Sequence, residues 1–167
     1  MTPTRSPAPS GDRIYLTDGG IETTLIFHEG QELPYFAAFH LLREARGREV
    51  LRSYYRPYAR LAERLGTGLV LESATWRANP DWGARLGYSP RALAEANGSA
   101  IELLREVRDE LRAGVGPVVI SGCVGPRGDG YATGAEMSPA QARRYHAAQA
   151  HALADAGADM LCASTMT

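Results

Sequence analysis

The sequence is poor in the residues that mark several large classes of protein. Its 167 residues hold two cysteines, Cys123 and Cys162, which make no disulfide framework. A reducing, cytoplasmic compartment is the expectation. Neither sign of charge is in excess: the net charge is −1, and the basic charge, all of it arginine, is scattered among acids. Nucleic acid or an anionic membrane would need a basic patch, so neither is expected as a partner. No run approaches the ~18 apolar residues of a membrane span. Residues 1–11 are rich in proline, serine and threonine and lack an apolar core. They read as a disordered leader and not as a secretory signal.

What remains is an ordinary globular composition, 44% hydrophobic and 22% charged, long enough for one core over residues 12–167. Apolar runs at 14–17, 69–73, 118–121 and 159–163 alternate with helical spacing. The first connection is irregular: Pro34 breaks any long helix, and Phe36, Phe39, Leu41 and Leu42 call for burial. Residues 49–65 place Leu51, Tyr54, Tyr55, Tyr58, Leu61, Ala62 and Leu65 on a helical face, with a kink expected at Pro57. Asn79 and Pro80 open a loop or short helix. Ser89-Pro90 and Ser138-Pro139 are N-cap and first-turn pairs for helices running toward Leu111 and Ala156. Ala94, Ile101, Leu104 and Val107 are the inward residues expected of the first. Strands recurring roughly every 40 to 55 residues with helical crossovers are the mark of a parallel α/β sheet, at about half the length of an eight-fold βα barrel.

Three strand ends carry the chemistry: Asp18-Gly19-Gly20 after the first, Glu72 on the second, and the glycine-rich stretch 122–134 after the third. A buried strand that ends in a carboxylate or in glycines delivers functional groups to its loop. Each has a plainer reading. Asp18 is either a substrate contact or the cap of a helix starting at Gly19 or Gly20. Glu72 and Arg77 are substrate contacts or partners in ion pairs. Trp76 and Trp82 read as packing. The segment 125–130 is an anion cradle or a tight loop, and it matches neither a Walker nor a dinucleotide motif. His146 and His151, five apart, lie about 140° from each other on a helix and share no metal-binding face. No catalytic residue and no metal ligand emerges from spacing. Cys123 has no evident base and reads as a small buried residue.

Four segments together carry a family resemblance: 16–25 (LTDGGIETTL), Tyr54-Tyr55 with 68–79 (GLVLESATWRAN), 121–131 (SGCVGPRGDGY) and 155–163 (DAGADMLCA). In this order they resemble the homocysteine S-methyltransferase family. The resemblance implies a parallel (β/α)8 TIM-type barrel, of which these residues would be about the first four βα units. It also implies methyl transfer to the thiol of homocysteine or a related acceptor. The family's zinc is held by three cysteines on later strand ends, so zinc is expected of the full-length enzyme with no ligand among these residues. Asp18 and Gly19 match the motif that binds the amino-acid end of homocysteine, a carboxylate for the ammonium and a backbone N–H for the carboxylate. The fourth strand of the family usually ends in a glutamate that also holds the amino group, and Ser164 stands at the matching position. In betaine-using relatives an aromatic residue lies near Arg77, whose guanidinium would repel a quaternary ammonium.

Three functions follow as expectations. The first is a thiol methyltransferase, with Asp18, Gly19 and Ser164 on the acceptor side and Glu72 and Arg77 shaping the donor side. The second is the same barrel turned to another acceptor, because Ser164 brings no charge. The third is a non-catalytic half-barrel whose open strand edges lead it to self-associate. Small molecules are the expected partners in the first two, a second copy of the chain in the third.

Overall fold

The four apolar runs form one parallel sheet, and the crossovers between them are helical. In the computed structural model, residues 12–111, 116–132, 134 and 136–166 are described; the expected leader, 1–11, lies outside them. The strands are β1 (Tyr15–Thr17), β2 (Gly68–Glu72), β3 (Val118–Val124) and β4 (Met160–Ala163). They lie in the order β1-β2-β3-β4, every pair parallel. The short helices are α1 (Ile21–Thr23) and α3 (Pro80–Arg85), and the long ones α2 (Ala45–Leu65), α4 (Pro90–Asp109) and α5 (Pro139–Asp155). A sequential order built from right-handed crossovers puts the long helices on one face of the sheet.

Each helix boundary has a local cause. Ser89 and Ser138 accept hydrogen bonds from Ala92 N–H and Gln141 N–H, and Gln141 reaches back to Ser138 N–H to complete a capping box. Asn79 does the same for Trp82 N–H at the start of α3. Gly66 ends α2 in the left-handed region, φ 64°. The α2 helix begins at Ala45, earlier than its apolar pattern shows, and carries Pro57 inside one continuous element. Three expected burials fail. Leu65, Ala94 and Phe36 are exposed, the first in the last turn of α2, the third on the wall of a cavity. The third strand is also longer than its β-branched run, since Gly122, Cys123 and Val124 continue it.

The core packs Leu51, Tyr55 and Ala62 of α2 and Ile101, Leu104 and Val107 of α4 against Leu69, Leu71 and Ile120 of the sheet. Burial of this kind is worth about 1.5–3 kcal/mol per large aliphatic side chain. A polar seam runs beside it. Past the end of β2, Ser73 Oγ accepts from Cys123 N–H and Thr75 Oγ1 donates to Cys123 C=O, so side chains prolong the pairing with β3. Gln149 Nε2 donates to Thr75 C=O at 2.8 Å and Asn97 Oδ1 at 3.2 Å; Asn97 Nδ2 donates to Ala78 C=O at 3.0 Å. Both amides are almost wholly buried. Removing Gln149 orphans acceptors from α4 and the β2 rim at once. Gln149→Ala is expected to cost about 2–4 kcal/mol in denaturant unfolding. A loss under about 0.5 kcal/mol would mean that water replaces the amide.

Candidate functional site

Parallel strands deliver their C-terminal ends to one rim, and a cavity of about 530 Å³ opens there. The structure brings all five sequence-chosen residues, Asp18, Gly19, Glu72, Arg77 and Ser164, to its wall. Asp18 is not a helix cap: Gly20 precedes α1, and no side chain caps that helix. Its carboxylate instead bridges two strand ends. Oδ1 accepts Glu72 N–H at 3.0 Å and Oδ2 accepts Tyr54 OH at 3.1 Å. Tyr54 OH also lies 2.9 Å from Gly19 C=O, and Tyr55 OH donates to Glu72 C=O at 2.7 Å. The adjacent tyrosines of α2 thus brace the ends of β1 and β2 separately. Ser164 is fixed by its backbone, with its N–H on Val124 C=O at 3.0 Å.

Arg77 is 5% exposed and lies between the rings of Trp76 and Trp82, its guanidinium carbon 4.0 and 4.2 Å from their centroids. Its Nη1 donates to Gly128 C=O at 2.7 Å, while Nε is buried without an acceptor among the described residues. No carboxylate among them pairs with it, so the surface ion pair considered for Arg77 is not formed. The loop after β3 is shaped to this cluster. A Cβ on Gly125 would collide with the Trp76 backbone, and one on Gly130 would come within 2.9 Å of its ring. Pro126 C=O accepts Asn79 Nδ2, and Gly128 C=O accepts Arg77 and Trp82 Nε1. Carbonyl oxygens toward the site are the reverse of an anion cradle.

Sequence reasoning missed Glu22. It stands in α1, four residues after Asp18, and lines the same cavity. The signal was available: an acid one turn beyond a strand-end Asp-Gly-Gly turns toward the same rim. Tyr35 and Phe36, also at the cavity, both hold left-handed backbone, φ 55° and 57°. Such conformations cost about 1 kcal/mol or more per non-glycine residue and concentrate at functional sites.

Burial dominates the electrostatics. It raises the Asp18 carboxyl to about 6, although the bonds from Glu72 N–H and Tyr54 OH pull it down. It raises Glu22 to about 7, where the Arg77 charge works against burial and the charges of Asp18 and Glu72 add to it. Burial also pushes the Cys123 thiol far up, so it is neutral near pH 7 and no thiolate nucleophile. Among the described residues no three His, Cys, Asp or Glu side chains converge to hold a metal ion. None of their helices is long and apolar enough to cross a membrane.

The sequence model described as homocysteine S-methyltransferase matches residues 15–167. A curated relative, the homocysteine S-methyltransferase of Escherichia coli (strain K12), is 32% identical over 133 residues, covering 71% of this chain and 38% of that protein. Crystal structures of the homocysteine methyltransferase MmuM from Escherichia coli, in oxidized and metallated forms, match with TM-scores of 0.70 and 0.69. At 24% and 23% identity these speak for the fold; they cover 94% of this chain and 54% and 55% of the solved ones. The chain thus spans less than two thirds of each relative it matches.

The raised Glu22 has a thermodynamic consequence. Between its ordinary range and about 7, the folded chain holds a proton that the unfolded chain has released. The stability tied to this group is therefore full at low pH and lost as pH rises toward and through 7. Glu22→Gln is expected to stabilise the protein by about 1–3 kcal/mol at pH 8 and by little at pH 4. Urea unfolding of both forms across that range checks this, and a difference independent of pH would remove the buried-acid reading.

Proposed function

The chain belongs to the homocysteine S-methyltransferase family, and from that membership we propose that its cavity seats a thiol acceptor for methylation, homocysteine or a close relative. The observation that carries this reading is the meeting of Asp18, Gly19, Glu72, Arg77 and Ser164 on one cavity wall at the C-terminal rim. The four βα units would be half of an eight-fold barrel, which four more would close. Such a rim is where barrel enzymes keep their chemistry.

On this reading Asp18 takes the acceptor's ammonium. Each of its oxygens already accepts one hydrogen bond, from Glu72 N–H and Tyr54 OH, and a carboxylate oxygen has room for another. A Gly19 backbone without a side chain lets the acceptor's carboxylate approach. Ser164 lacks the acid that the family usually places at the end of the fourth strand. Glu22 brings a carboxylate to the same cavity from α1 and supplies the missing charge. This favours an amino-acid thiol over an unrelated acceptor.

The reaction is a displacement. The acceptor's thiolate sulfur bonds to the methyl carbon as the carbon–heteroatom bond of the donor breaks, and the electron pair stays with the donor atom. What this chain adds is position: an acceptor held by its amino-acid end keeps its sulfur aligned for attack. Zinc belongs to what the family implies, but the described residues do not supply a ligand set for it.

The test is transfer of a labelled methyl group to homocysteine by the protein that contains this chain. Asp18→Ala is expected to raise the acceptor KM at least about tenfold, the scale of losing one charge-assisted hydrogen bond. Glu22→Gln should raise it less, and only above about pH 7, where the native acid is ionised. Unchanged acceptor kinetics in Asp18→Ala would sink the assignment.

A further inference from the structure

We infer that the pocket between α3, α4 and α5 binds a small uncharged molecule, largely apolar, that carries one N–H or O–H donor. The site stands apart from the methyl-transfer reading. Its volume is about 200 Å³, and it shares no lining residue with the rim cavity. One segment walls both: Trp76, Arg77 and Trp82 line the rim cavity, while Ala78 and Pro80 line the pocket. Floor and mouth differ in burial. Leu93, Asn97 and Gln149 are buried, whereas Ala84, Ala94 and Ala148 are exposed. Short side chains at the mouth leave the way in open. Ala94, expected inward and found exposed, stands there. No charged residue lines the pocket, so an ion would lose its water without gaining a partner.

The side-chain polar groups of the lining have partners, with one exception. Tyr88 OH shares a hydrogen bond with His40 Nδ1 at 3.2 Å. Asn97 Nδ2 donates to Ala78 C=O and Leu93 C=O, and Asn97 Oδ1 accepts from Gln149 Nε2. Gln149 Nε2 faces three acceptors: Thr75 C=O at 2.8 Å, Asn97 Oδ1 at 3.2 Å and Cys123 C=O at 3.4 Å. Turning that amide over would set oxygen against oxygen three times, so its orientation is fixed. The exception is Gln149 Oε1, buried and without a donor among the described residues, on a side chain whose residue is 3% exposed. An orphaned acceptor under an apolar recess is costly, and a donor on a ligand would complete it. An apolar cavity of about 150 Å³ holds benzene, so about 200 Å³ has room for a fused bicyclic ring.

The experiment compares indole with benzofuran, which has nearly the same shape and an ether oxygen in place of the N–H. Both are titrated into the protein that contains this chain, and binding is read by calorimetry and by the NMR signals of the probe. Indole is expected to bind at least about fivefold tighter, the scale of one neutral hydrogen bond together with the penalty of leaving the acceptor unpaired. Ala94→Leu and Ala148→Leu narrow the mouth from exposed positions on α4 and α5, where leucine keeps the helix. Each is expected to weaken indole binding at least about tenfold with the melting temperature unchanged. Equal binding of indole and benzofuran by the unaltered protein overturns the donor requirement, and needs no variant to fold. Full-strength indole binding in both leucine variants puts the probe elsewhere and overturns the pocket. No binding of indole to the unaltered protein means that water or another part of the same protein fills the recess, and it overturns the site as well.

Discussion

The rim depends on one half-buried carboxylate. Asp18 accepts from the backbone of Glu72 and from Tyr54, and so ties the end of β1 to the end of β2 and to the helix between them. Strand β1 is only three residues long, and this bridge adds to the hydrogen bonds that Tyr54 and Tyr58 make to Gly19 C=O in its following turn. Desolvating the acid is unfavourable, and its two hydrogen bonds only partly offset the cost. The tyrosine pair supports the arrangement from below: Tyr54 reaches β1 and Tyr55 reaches β2, their rings packed edge to face with centroids 5.0 Å apart. The same atoms that could meet a ligand thus also shape the wall in which they stand.

Much of this was legible in the sequence because the strands end where their chemistry begins. Apolar runs stopping at Asp18, at Glu72 and before Ser164 predicted a parallel sheet with one functional rim, and the serine-proline pairs predicted two helix starts. What escaped was set by geometry between segments. Glu22 went unread: its place one turn after Asp-Gly-Gly hints at the rim, but only the fold of α1 shows it lining the cavity. Trp76 and Trp82 looked like packing, and they do pack, but on a guanidinium from their own segment. Phe36 looked like core, yet a left-handed turn after Pro34 leaves it half-exposed at the cavity. The glycine loop after β3 suggested backbone N–H donors, whereas two of its glycines make room for Trp76 and its carbonyls face inward.

Charge at the site is asymmetric. Four acids, Asp18, Glu22, Glu72 and Asp129, border the same space as one guanidinium that has no salt-bridge partner among the described residues, and burial weakens the ionisation of two of the acids near neutral pH. A ligand bearing a positive centre would draw Glu22 toward its ionised form, because the charge that burial disfavours would gain a partner. Binding and proton release are then linked at this residue, and affinity for such a ligand rises with pH across the range where the empty site would still hold its proton.

The strand order has a consequence for how the chain acquires its structure. Because β2 adds to β1, β3 to β2 and β4 to β3, each hydrogen-bonded ladder joins neighbours along the chain and none waits for a distant segment. Loop closure is correspondingly short in every pairing step. A polypeptide leaving the ribosome from its N-terminus can therefore lay down this sheet one unit at a time, each new helix covering the strand just docked, with the outer edge of β1 and the latest edge the ones open to the wrong neighbour.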